Sequence, residues 1–142
     1  MITACISDYK KSYRKMYTLV SKINDASQDY TRCMILFYSA ECGLKSLLLD
    51  RWGCLTQKSM DKMYDDQKDL LGSHDLKKLL HNLDQVSSFS FPNNMQTVHG
   101  NWVSVEQFHQ ICRYHIRLKN GDSIKQMKAT LVSLNEWISQ RI

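Results

Sequence analysis

From Ser27 to Trp52 the chain has no proline and a single glycine, and its apolar side chains fall on nearly every side of a helical wheel. Tyr30, Cys33, Met34, Phe37, Leu44 and Leu48 share one face; Ile35, Leu36, Leu47 and Leu49 extend it almost all round. A helix that is apolar on all sides has to be covered on all sides, so this segment is predicted to be the central element, with Gly53 closing its C-terminus. The expected architecture is therefore all-α: one up-and-down bundle of four or five helices occupying residues 1–142 as a single domain.

The rest of the sequence agrees with that frame. One proline (Pro92) and five glycines interrupt 142 residues, too few for the turns of a many-stranded sheet. Tyr9, Tyr13, Met16, Tyr17 and Val20 recur at spacings of three and four, predicting a helix over 7–23 with Ser7 or Asp8 as cap. A weaker, acidic helix is predicted over 58–71, stopped by Gly72, and another follows with Ser73 as cap and Leu76, Leu79, Leu80 and Leu83 inward. Residues 86–103 read as a long loop whose aromatics fold it back on the body. Ser104 then caps a helix to about Lys119. Beyond Asn120-Gly121, a last helix capped by Asp122 or Ser123 buries Ile124, Met127, Leu131, Leu134 and Ile138.

Five cysteines, an odd number with no Cys-x-x-Cys, suit free thiols in a reducing compartment, and a cytoplasmic protein is expected. No signal-peptide pattern stands at the N-terminus, and the longest apolar run, Met34–Tyr38, is far too short to span a bilayer. The net charge of +5 is unevenly spread. Residues 1–24 carry five Lys or Arg against one Asp, and 107–142 carry six against two acids, +4 each, while 25–106 carry eight against eleven, −3. Terminal helices lying together would join Lys10, Lys11 and Arg14 to Arg113, Arg117 and Lys119 in one basic surface able to attract phosphates; two separately solvated faces are the alternative.

Two stretches resemble a known family. Tyr38-Ser-Ala-Glu41-Cys-Gly-Leu44-Lys45-Ser-Leu-Leu-Leu49 is similar to the second helix of HEPN domains, and His74-Asp75-Leu76-Lys77-Lys78-Leu79-Leu80 resembles the His-x-Leu-x-x-Leu that opens the next. Arg113-Tyr114, late in the chain after a long loop, is similar to divergent members. The resemblance implies a four- or five-helix bundle, a homodimer, and a place among prokaryotic antiviral-defence, toxin–antitoxin and RNA-handling proteins, with an antitoxin or defence-system protein as a further partner. Active HEPN ribonucleases carry Arg-x4-6-His and cleave RNA without metal. None of Arg14, Arg32, Arg51, Arg113, Arg117 and Arg141 has a His at that offset.

Two functions follow as expectations. One is a non-catalytic module binding RNA or a partner protein. The other is a divergent metal-independent ribonuclease using Arg113 with His109 or His115. At spacings of four, His109, Arg113 and Arg117 would line one helical face, pairing a proton-transfer group with two phosphate-binding cations; a plain surface helix is the alternative. Glu41 and Lys45, also four apart, are expected to form a buried ion pair, His74 to cap or pack its helix, and the Tyr9–Tyr13–Tyr17 stripe to pack rather than stack on bases. No Gly-x-x-x-x-Gly-Lys or Gly-x-Gly-x-x-Gly loop and no metal-ligand spacing occurs, so neither nucleotide cofactor nor metal is expected.

Overall fold

The computed structural model describes residues 4–23 and 25–142. Among them are seven α-helices: α1 (Ile6–Val20), α2 (Asp29–Arg51), α3 (Gln57–Met60), α4 (Asp65–Leu71), α5 (Leu76–Asn82), α6 (Phe108–Arg113) and α7 (Gly121–Ser139). Two strands of two residues each, β1 (Met95–Gln96) and β2 (Trp102–Val103), pair as an antiparallel hairpin. The chain is all-α apart from that hairpin, and α2 is its axis, in contact with α1, α5, α6 and α7. No helix among the described residues is long and apolar enough to cross a membrane.

The predicted stripes become the core. Phe37, Leu44 and Leu48 of α2 pack with Leu76, Leu79 and Leu80 of α5, Phe108 and Ile111 of α6, and Met127, Leu131, Leu134 and Ile138 of α7. A smaller cluster, Ile6, Leu49, Cys54, Met60 and Leu71, seats α3 and α4 under the start of α1. Gly43 allows the tightest approach: a Cβ there would stand 2.6 Å from Ile138 Cγ2 and 2.9 Å from Tyr13 Cδ1, so α1 and α7 both lean on bare α2 backbone. Gly53, at φ +69°, closes α2 as predicted, with the Cys54 amide donating to the Leu49 carbonyl at 2.8 Å.

Several boundaries depart from expectation. The predicted 58–71 helix is two short helices, because a turn at Asp61–Tyr64 separates α3 from α4. Asp75, not Ser73, caps α5, its carboxylate accepting from the Lys77 and Lys78 amides at 3.1 and 3.3 Å. Asn120 caps α7 by accepting from the Asp122 amide at 3.0 Å. At the head of α1 the Asp8 carboxylate accepts from the Cys5 amide at 2.9 Å. The helix predicted from Ser104 to Lys119 stops at Arg113; His115 turns out at φ +54°. The chain then lies along the hairpin, Leu118 bridging to Thr97 and the Val98 amide donating to the Arg117 carbonyl at 3.0 Å. The Tyr30 hydroxyl also accepts from the Leu118 amide at 2.9 Å. These extended contacts outcompete two further helical turns.

Candidate functional site

The face of α2 opposite Gly43 gathers six polar side chains from two helices and one loop. Tyr38, Glu41 and Lys45 lie at i, i+3 and i+7 of α2 and so share a face. Glu41 and Lys45 form the expected pair, Oε2 to Nζ 3.2 Å, with side chains only 10 and 5 % exposed. Two charges this dry need each other. The other carboxylate oxygen of Glu41 lies 2.7 Å from Nδ1 of His74, in the turn before α5. A carboxylate can only accept, so His74 carries its proton on Nδ1 and leaves Nε2 unprotonated in the neutral ring. That ring is half-exposed and opens to solvent.

The His109 ring, on α6, lies 4.7 Å from that of His74, centre to centre. It also packs on Phe37 at 5.5 Å, and the residue is buried. Its Nδ1 lies 3.3 Å from the Tyr38 hydroxyl, and the same hydroxyl accepts from Arg113 at 2.6 Å. A guanidinium can only donate, so the Tyr38 proton is free for His109. The donors thus run Arg113 to Tyr38 to His109, and separately from His74 and Lys45 to Glu41. Burial first, then the neighbouring His74, hold the His109 imidazole below its ordinary value, which keeps it neutral near pH 7. The Tyr38 and Tyr114 hydroxyls strengthen the hold of Arg113 on its proton, and its guanidinium faces solvent.

The predicted site residues divide. Arg113 and His109 come together, through Tyr38. Arg117 lies beyond the end of α6, beside the hairpin, rather than on the His109–Arg113 face, because the helix ends four residues earlier. His115 and Lys119 are exposed in the same extended segment. Lys11 and Arg14 are exposed and Lys10 half-buried on α1. Tyr13, from the aromatic stripe, is buried and donates to the Asn135 carbonyl at 2.7 Å. The structure adds His74 and Tyr38 to these residues; the available signals were the His-x-Leu-x-x-Leu stretch for the first and the Tyr38–Leu49 stretch for the second.

Other chemistries find less support. Burial pushes the Cys33 thiol up to about 12, Cys42 to about 11 and Cys112 higher still, so these are packing thiols rather than nucleophiles. No group of three His, Cys, Asp or Glu side chains among the described residues is disposed to hold a metal ion. Comparison with protein-family models, with curated proteins and with solved structures finds no match to this chain.

Proposed function

We propose that this chain is a HEPN-like module of a prokaryotic defence or toxin–antitoxin system that acts on RNA, and that the α2–α5–α6 face is a metal-independent phosphodiester-cleaving site. The observation that carries the reading is the disposition of His74. Glu41 fixes one nitrogen of a half-exposed ring, and a second imidazole and an exposed arginine complete the cluster. Cleavage of RNA by its own 2′-hydroxyl needs a base at that hydroxyl and positive charge at the phosphate. His74 Nε2 takes the 2′ proton while the 2′ oxygen bonds to phosphorus. The bond to the 5′ oxygen breaks, and that oxygen leaves with the proton His74 returns. The products are a 2′,3′-cyclic phosphate and a 5′-hydroxyl. Arg113 faces the phosphate, and His109 and Tyr38 hold it in place.

The test is cleavage of single-stranded RNA in EDTA. His74→Ala and Arg113→Ala are each expected to lower the rate by about 100-fold or more. Equal rates in all three proteins would remove the cluster from the mechanism. The burial of His109 and the missing Arg-x4-6-His favour a second reading, a module that binds RNA without cutting it. Salt-sensitive binding with no cleavage by the wild type selects that reading. The resemblance also carries a homodimer, which light scattering checks directly.

A further inference from the structure

A second surface adjoins the cluster across α6. Gln110 and Ile111 of that helix and Tyr114 just after it, with Thr97, Asn101 and Trp102 of the hairpin, wall an open groove of about 260 Å³. Trp102 and Tyr114, each 67 % exposed, stand together on this one surface. Trp102 projects from β2 because its neighbour Val103 faces the core, and Tyr114 follows the last turn of α6. No acidic side chain lines the groove. Cations lie close by in the chain: backbone bonds from Val98 to Arg117 and from Lys119 to Gln96 pair the segment carrying the exposed Arg117 and Lys119 with the hairpin, and His99 lines the groove from the hairpin loop. Tyr114 belongs to both places, since it lines the groove while its hydroxyl neighbours the Arg113 guanidinium.

We propose that this groove is a nucleobase subsite for single-stranded RNA, in which a base stacks on Trp102 and Tyr114 while its phosphate lies toward Arg113. The chemistry fits an unpaired base in three respects. Aromatic faces stack on any base, the amides of Asn101, Gln107 and Gln110 can bond to base edges, and the cations track the backbone. A base in a duplex cannot enter, so single strands are preferred. The proposal rests on the RNA reading above but not on cleavage.

A labelled 2′-O-methyl oligoribonucleotide, which cannot be cut, separates the two. Its binding is followed by fluorescence anisotropy against salt. Trp102→Ala and Tyr114→Ala are expected to weaken binding about tenfold or more, and Trp102→Phe by less than about threefold. The salt slope should stay unchanged in Trp102→Ala and fall by about 0.7 in Arg117→Gln. Both aromatics are exposed, so the variants should melt with the wild type. Wild-type affinity in both alanine variants overturns the subsite while leaving the cleavage assay to judge the cluster. Loss of binding in these variants with no cleavage by wild-type protein upholds the subsite and removes the enzyme. A change of oligomeric mass in Trp102→Ala at unchanged RNA affinity assigns the groove to a second copy of this chain and overturns the proposal.

Discussion

The two polar faces of α2 are built alike and behave differently. Toward α1 and α7 it presents Ser39, Gly43 and Ser46. There the Ser39 hydroxyl donates to the Asn135 side chain at 2.7 Å, and Asn135 donates to the Leu131 and Leu36 carbonyls at 2.8 and 3.1 Å. Every group is neutral and enclosed, and burial pushes the Tyr13 phenol up to about 12, so this face never ionises near neutral pH. Toward α5 and α6 the same helix presents Tyr38, Glu41 and Lys45, and there the network is charged, titratable and open at His74 and Arg113. Closed polar networks fix one packing arrangement. A network with charges and a route to solvent can also exchange protons with something outside, which is why the chemistry is assigned to the second face.

The contrast can be broken most violently at Glu41. Glu41→Ala strands the Lys45 ammonium in a dry site, with an expected loss of about 3–5 kcal/mol in urea unfolding; Glu41→Ala with Lys45→Met should recover most of it. Gly43→Val attacks the opposite face by overpacking Ile138 and Tyr13, with an expected cost of about 1–3 kcal/mol or more. Asn135→Leu leaves the Leu36 carbonyl and the Ser39 hydroxyl without their partner, at about 1–3 kcal/mol.

The pH dependence sharpens the comparison. The folded state holds His109 below its ordinary 6.5, so the unfolded chain binds the proton first as the pH falls. Its share of stability is present above about 6.5 and is lost as the pH drops below that value through the lowered folded one. His109→Asn should flatten that part of the stability profile, whereas Asn135→Leu should leave its slope alone. The smallest effect belongs to Arg113→Gln, whose melting should stay within about 0.5 kcal/mol of wild type while the RNA cleavage proposed for this face is lost.

The long elements were legible because periodicity over many residues averages out local ambiguity. The stripes of α1, α2 and α7 and the stops at Gly53 and Gly72 stand where the sequence puts them. Short elements were not, since a helix of four to seven residues is decided by its caps and by tertiary contacts: Asp75 over Ser73, and the Thr97–Leu118 bridge over the end of α6. The site divides along the same line. Glu41–Lys45 and His109–Arg113 were readable because each pair spans one helical turn. Glu41 to His74 spans 33 residues and Tyr38 to Arg113 spans 75, so only the packing of α5 and α6 on α2 reveals them.

The close approach at Gly43 sets how far α2 can roll about its own axis. A side chain tip rides about 5–6 Å from that axis, so a roll of about 20° would carry the Glu41 carboxylate and the Tyr38 hydroxyl through about 2 Å. A displacement of about 1 Å already costs a positioned acid–base group some two orders of magnitude in rate. The aim of His74 and Arg113 is thus governed from the far side of the helix, by a residue with no side chain and no contact with either.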